Sequence, residues 1–371
     1  MIPITRLALG DAEAEASAAV VRSGWLMNGP RTEEFERKVA DYVGAKHAIA
    51  VSSATTGLHL GLLGAGVKAG DEVICPSYSF IATANAMRYI GAIPVFVDID
   101  PRTYNIDLAA LEAAITDKTT AIMPVSQIGL PADLLPIVEL AAKHGLKVIE
   151  DAAPSLGASI QGKRLGSISD FTIFSFDARK ILTTGEGGMV TTDDTEAATR
   201  IRMLRAHAAS VSTADRDRAN KIILETYPEV GFNYKMTDIQ GAIGSIQMDK
   251  IDQIIAERRR LAARYAELLD GEDRVELPYE PEGFQHVYQS YSIRLHTDRS
   301  QVEVMHSMME LGVATRRIFD IHKQEAFADL GEVPSLPVTE RAAAEAILLP
   351  MFVGLTDSEQ DDVVAALAKS L

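Results

Sequence analysis

The chain is poor in several things, and each shortage excludes something. Cys75 is the single cysteine among 371 residues. That rules out an intramolecular disulfide and a cysteine metal cluster, and it fits a reducing compartment. No apolar run approaches the roughly 18–20 residues that a membrane-spanning helix needs. No apolar core precedes or follows Arg6, Asp11, Glu13 and Glu15 closely enough to make a leader. Neither a membrane anchor nor a targeting segment is therefore expected, and the expected location is cytoplasmic. Basic residues are in deficit: 36 Lys and Arg against 52 Asp and Glu leave a formal charge of −16. This balance argues against a general nucleic-acid binder. An anionic small substrate would need a local cluster of Arg, Lys or backbone N–H groups. There is no internal repeat or low-complexity tract, and no His/Cys/Asp grouping has the spacing of metal ligands.

What is present is ordinary globular material, 47% hydrophobic and 24% charged, long enough for two or three domains of roughly 150 residues. Asn28-Gly29-Pro30 reads as a turn. Thr32 reads as the N-cap of a helix carrying Glu33 and Glu34 in its first turn and Phe35, Val39, Tyr42 and Val43 at helical spacing. From about 47 to 192, short apolar runs (His47–Val51, Val73–Cys75, Ile93–Val97, Ala121–Val125, Lys147–Ile149, Phe171–Phe174, Met189–Thr192) alternate with helical stretches and short loops. That alternation implies an α/β fold with a mostly parallel sheet between helices, whose ligands sit at the carboxyl ends of the strands. Residues 195–228 are polar, with Arg202, Arg205, Arg216 and Arg218, and read as a helix and a mobile loop. A long helix is expected over 251–269, with Glu257, Arg258, Arg259 and Arg260 on a solvated face. Beyond Pro278, a strand of alternating polarity over 288–295 and helices over 302–311 and 358–367 suggest a smaller α+β domain with one wet sheet face. The expected division is 1–248 and 249–371.

The most informative stretch is Ser175-Phe176-Asp177-Ala178-Arg179-Lys180-Ile181-Leu182-Thr183-Thr184-Gly185-Glu186-Gly187-Gly188. Alone it is compatible with a solvated lysine in a hairpin-like loop. Asp151 and Ser175, however, both fall at strand ends, Phe80 falls just past one, and Ser52-Ser53-Ala54-Thr55-Thr56 joins a strand to a helix start. Such a start seats an anion or is an ordinary N-cap. Together these residues match the needs of pyridoxal phosphate: a lysine for the aldehyde, an aspartate for the pyridine nitrogen, an aromatic for the ring face and a helix N-terminus for the phosphate. For Lys180 to act as nucleophile and base, burial and a cationic ring must lower its pKa.

Over nearly its whole length the chain resembles the DegT/DnrJ/EryC1/StrS family of sugar aminotransferases, within PLP-transferase fold type I. The resemblance rests on Gly24-Trp25 with Gly29-Pro30, Phe35-Glu36, Ser52–Thr55, Gly70–Ile74, Phe80–Ala86, Asp98-Ile99-Asp100, Pro131-Ala132-Asp133, Ile149–Ala153, the Lys180 stretch and Gly231–Met236. It implies a large domain with a seven-stranded sheet and a smaller C-terminal domain, and pyridoxal 5′-phosphate as cofactor. It implies Lys180 and Asp151 as catalytic residues, with Ala54, Thr55, Thr56, Phe80, Ser175 and Asn233 also binding the cofactor. It implies a homodimer in which Asn233 reaches the neighbouring site, an amino-acid donor (glutamate or glutamine) and a keto-sugar acceptor, most simply nucleotide-linked. Arg316, Arg317, His322 and Glu186 are the candidate substrate residues; Arg316 and Arg317 read equally as a solvated pair, Glu186 reads first as shaping its turn, and His207 reads first as a structural histidine and second as flanking the site. The rival readings are an aminotransferase acting on a cyclitol ketone or keto-acid sugar, and a non-catalytic cofactor-binding regulator. Asp177, Pro154 and Ser126-Gln127-Ile128 depart from the family pattern and place the substrate pocket in question. Retention of Lys180, where sugar 3-dehydratases of this fold carry His, implies a transaminase.

Overall fold

A computed structural model describes residues 1–211, 216, 219, 222–331 and 335–371; Arg218 lies outside them. The chain opens with helices α1 (Asp11–Ser23) and α2 (Pro30–Val43), followed by strand β1 (His47–Val51) and α3 (Ala54–Gly64). Strands β2 (Glu72–Pro76) and β3 (Tyr78–Ser79) lead to α4 (Ala82–Tyr89), β4 (Ile93–Val97), α5 (Leu108–Ala113), β5 (Thr119–Ile122), α6 (Leu134–His144) and β6 (Lys147–Asp151). After the short strands β7 (Ser159–Ile160) and β8 (Lys163–Arg164) come β9 (Phe171–Ser175), β10 (Gly188–Thr192) and α7 (Thr195–Leu204). The second half contains α8 (Asp238–Met248), α9 (Ile251–Leu268), β11 (Val275–Glu276), β12 (Phe284–Gln285), β13 (Tyr291–Leu295) and α10 (Gln301–Glu310). Strand β14 (Phe319–Asp320), α11 (Pro337–Glu345), β15 (Ala346–Leu349) and α12 (Asp357–Ser370) complete it. No described helix is long and apolar enough to cross a membrane.

Seven strands form the main sheet in the order β1-β10-β9-β6-β5-β2-β4. Only β10 runs against its neighbours. Buried on both faces, the strands are near-continuous apolar runs, as a helix-covered parallel sheet requires. One face packs under Phe35, Val39, Leu134, Ile137 and Ile254, and the other under Leu58, Leu62, Met87 and Ile201. A three-stranded sheet, β11-β13-β15, builds a second core with Leu261, Tyr265, Val304, Met308 and Leu367. Helix α9 joins the two: Ile251, Ile254 and Ile255 enter the first core, and Leu261, Ala262 and Tyr265 the second.

Several expectations are corrected. Thr32 is not an N-cap. Helix α2 begins at Pro30 with Gly29 in the cap position, and the cap comes from a different helix. Asp238 accepts hydrogen bonds from Gly29 N (2.8 Å), Arg31 N (3.1 Å), Thr32 N (3.0 Å) and Thr32 Oγ1 (2.7 Å). Its buried charge satisfies the amides that the glycine cannot. The run Glu257–Arg260 is not one solvated face. Arg258 is buried, and its Nη1 donates to the carbonyls of Tyr288, Gln289 and Met351. Burial lowers its pKa to about 10, so it remains a cation. Arg205, placed in the polar segment, is also buried and pairs with Glu36. Strand β13 starts at Tyr291, and four of its five residues are buried. The alternation and the wet face are missing because α11, Tyr78 and Tyr104 pack on the second face of the small sheet. Helices α1 and α11 went unforeseen: in α1 only Glu13 and Val20 are buried, too few to leave an apolar period.

Asp238→Ala strips three backbone amides and a hydroxyl of their acceptor, so it is expected to destabilise the protein by about 2–4 kcal/mol. Denaturant unfolding against wild type checks this.

Candidate active site

The register of the main sheet assembles the site. Val51 pairs with Gly188, and Gly188 with Ser175; Asp151 lies on the next strand opposite Ile173. Because β10 is reversed, its first residue meets the last residues of β1 and β9. One edge therefore holds the Ser52–Thr56 turn, the Lys180 loop and the end of β6, at the carboxyl ends where an open α/β sheet places its ligands.

Asp151 is 5% exposed. Its Oδ2 accepts from Thr83 Oγ1 at 2.7 Å and its Oδ1 from Ala153 N at 3.2 Å. Burial raises its pKa, while Thr83, the Ala153 amide and the Lys180 charge pull the other way. Thr83 is itself bonded to Ser79 Oγ at 2.9 Å and sits one turn after Phe80. The same α4 start thus fixes the carboxylate and presents the Phe80 ring, which is 63% exposed.

Lys180 lies in the connection between β9 and β10. This loop is closed by Phe176 N to Gly187 O, Thr184 N to Phe176 O and Thr183 Oγ1 to Phe176 O. Gly185 has φ +83°, which a side chain would strain. Burial lowers the Lys180 pKa against the opposing pull of Asp151 and Asp177, so more of the amine is free of its proton than on an ordinary lysine. Asp177 accepts from Arg179 N (3.1 Å) and Arg179 Nε (3.0 Å), so its charge is already paired. Pro154 is buried beside Asp151.

At the α3 start, Ser53 and Thr56 cap each other: Thr56 N donates to Ser53 Oγ and Ser53 N to Thr56 Oγ1. The Thr56 amide and hydroxyl are thereby engaged. Ala54 and Thr55, at the first two helical positions, have no acceptor within the helix, so their amides and the helix dipole face an incoming anion. The seat is also shaped by a close approach: a Cβ on Gly188 would lie 2.6 Å from Ala54 N and Ser53 C. Ser175, 8% exposed, completes the row. These groups fit pyridoxal phosphate: unused amides for the phosphate, a buried carboxylate for the ring nitrogen and a lysine of lowered pKa for the aldehyde.

The other candidates are more scattered. Glu186 has an exposed side chain, and its carbonyl accepts from Thr184 Oγ1 and Gln240 Nε2. Asn233 is exposed, on a segment held by Ser52 N to Tyr234 O and Tyr234 N to Arg205 O. Arg316 and Arg317 are exposed, with Arg317 over the Phe319 ring. Phe319 pairs with Ser79, next to Phe80. The His322 Nδ1 is 2.7 Å from Ser77 Oγ, and its Nε2 is 3.6 Å from Glu340. His207 is exposed, with φ +63°. Cys75 is fully buried, as a small apolar residue would be. Sequence reasoning missed Thr83, Gly188 as a contact residue, and Gln289, whose Nε2 donates to Arg179 O at 2.8 Å. Only Thr83 left a signal, a hydroxyl one turn from Ser79.

Gly188→Ala forces a methyl against the α3 start. A loss of about 1–3 kcal/mol is expected from the displaced backbone, measured as thermal stability, together with weakened binding of inorganic phosphate.

The profile of the DegT/DnrJ/EryC1/StrS aminotransferase family matches residues 8–368. The chain is 43% identical over 342 residues to the GDP-perosamine synthase of Caulobacter vibrioides, covering 91% of this chain and 89% of that protein. Among solved structures, the aminotransferase TlmJ of Streptoalloteichus hindustanus superposes with a TM-score of 0.92 at 33% identity, over 100% of this chain and 98% of that one. Spr1654 of Streptococcus pneumoniae, solved in its PMP form, gives 0.94 at 27% identity over the whole of both chains. With the family match spanning almost the whole sequence and these similarities covering most of it, the chain belongs to the DegT/DnrJ/EryC1/StrS aminotransferase family.

Proposed function

We propose that this aminotransferase uses pyridoxal 5′-phosphate to move an amino group from glutamate or glutamine to a keto sugar, most simply a nucleotide-linked keto-deoxysugar. The observation that carries the reading is the meeting of Lys180, Asp151 and the Ala54–Thr55 amides at one sheet edge. The nucleotide-linked acceptor is supported by the 43% identity to a protein named for GDP-perosamine.

The cofactor, when bound, supplies the electron sink and carries the amino group between the two substrates. The protein's own groups do the rest. The Ala54 and Thr55 amides, with the hydroxyls of Thr56 and Ser175, hold the phosphate; of these, Thr56 must loosen its capping contacts to contribute. Asp151 holds a proton on the pyridine nitrogen, and Thr83 orients that carboxylate. Phe80 covers one ring face. Lys180 Nζ would hold the cofactor at its aldehyde carbon and carry protons at the reacting carbon, which its lowered pKa favours. Arg316, Arg317, His322 and Glu186 are assigned to the substrate side. Phe319, with Arg317 over its ring, pairs with Ser79 next to Phe80, and an anionic sugar derivative would enter there. The working unit is a homodimer in which the exposed Asn233 reaches the phosphate seat of the neighbouring subunit.

Lys180→Ala is expected to end multiple turnovers of glutamate to oxoglutarate; sustained turnover by this variant would sink the mechanism. Asn233→Ala should weaken cofactor retention roughly tenfold, the loss of about one charge-assisted hydrogen bond. Mixing the Lys180→Ala and Asn233→Ala proteins under subunit exchange, at cofactor concentrations that leave Asn233→Ala largely unloaded, should give turnover above the sum of the two separate proteins. Mere addition of the two residual rates would place Asn233 in its own subunit's site.

A further inference from the structure

Strand β6 ends in two carboxylates, and only one has a place in the chemistry above. Glu150 is fully buried. It points to the opposite face of the sheet from Asp151, as strand alternation requires. Its Oε1 is bonded to Ser126 Oγ at 2.6 Å and its Oε2 to Thr172 Oγ1 at 3.1 Å. These two hydroxyls are the polar groups facing it among the described residues, and Asp151 acts on it as a charge through the strand; no cation faces it. A buried carboxylate without a cation is strongly disfavoured, and the ordinary outcome is that it keeps its proton.

Ser126 is tied into the strand end on all sides. Its amide donates to Asp151 O (3.0 Å), its carbonyl accepts from Ser155 Oγ (2.6 Å), and its hydroxyl also accepts from Ala132 N (3.0 Å). The next residue, Gln127, donates through Nε2 to the carbonyl of Tyr78, two residues before Phe80. Glu150 therefore holds the loop that fixes both the Asp151 backbone and the approach to Phe80.

We propose that Glu150 is a positioning residue kept as a neutral carboxyl, so that Asp151 is the single anion at the end of β6. The inference rests on Asp151 as the partner of the cofactor ring. If Glu150 ionised, its charge would raise the proton affinity of Asp151 and weaken its hold on the protonated pyridine nitrogen. Burial pushes the Glu150 pKa up to about 7, with Ser126 and Thr172 opposing and Asp151 reinforcing, so the switch lies near neutral pH.

A carboxyl whose folded pKa is raised makes the unfolded chain the first to lose its proton. Its stability contribution therefore falls as pH rises from the ordinary carboxyl range through its own pKa. Between pH 5 and 8, the folding constant of wild type should fall on the order of a hundredfold relative to Glu150→Gln, measured on the full chain freed of cofactor. Parallel pH profiles overturn the proposal while leaving the roles of Lys180 and Asp151 standing. With cofactor loaded, a step in the pH titration of its absorbance near neutrality should be present in wild type and absent in Glu150→Gln; a step that persists in the variant contradicts it. Glu150→Ala, which takes the acceptor away from both hydroxyls, should be less stable than Glu150→Gln at pH 6, and equal stability removes the positioning role. Should Glu150→Gln not fold, infrared spectra of wild type decide: a protonated-carboxyl band at pH 6 that fades by pH 8 supports the proposal, and no such band at pH 6 overturns it.

Discussion

Placing a carboxyl group at the buried end of β6 is the constraint around which this corner of the sheet is arranged. Asp151 cannot hold a charge there without donors, and each donor brings a structural element with it. Thr83 brings the start of α4, and with it Phe80. The Ala153 amide turns the chain away from the strand. The favourable pull of Lys180 comes from the hairpin between β9 and β10. Asp151 and Lys180 oppose each other's desolvation, and a cationic group bound close to both would compensate the carboxylate while favouring the neutral amine.

A second constraint is steric. The antiparallel β10 lies between β1 and β9, and only a residue without Cβ lets it pass the α3 start. That contact brings the anion seat within reach of the strand that follows the lysine. The buried Glu36–Arg205 pair supports this corner from behind: Glu36 accepts from Ala50 N, and Arg205 donates to Ala50 O. Both residues thus grip β1 just before the turn. The Arg205 backbone also holds Tyr234, beside Asn233. A single ion pair therefore braces both the strand that leads into the Ser52–Thr56 turn and the segment that carries Asn233.

Much of this was legible in the sequence. Alternating apolar runs and helical stretches marked the parallel sheet, because strands buried on both faces keep their apolar character. Asp151 and Ser52–Thr56 stood out as candidates because each follows an apolar run, and Lys180 because it lies between two such runs ahead of a glycine-rich turn. Less legible was whatever depended on partners distant in sequence. Arg258 sat in a charge run that looked solvated, and nothing local showed that three carbonyls would enclose it. Thr32 looked like a cap because Asp238, more than 200 residues away, could not be seen to do that work. Glu150 was hidden by its neighbour: adjacent carboxylates look alike in a sequence, and only the two faces of the strand separate them.

The central claim is that the edge formed by Lys180, Asp151 and the α3 start carries amino groups from an amino acid to a keto sugar. The most direct measurement is the absorbance of the cofactor-loaded protein through the two half-reactions. Addition of glutamate or glutamine should remove the absorbance of the lysine-held cofactor, and a nucleotide-linked keto-deoxysugar added afterwards should restore it with formation of the amino sugar. An absorbance that neither amino donor changes, or that keto acids restore while every keto sugar fails, would contradict it.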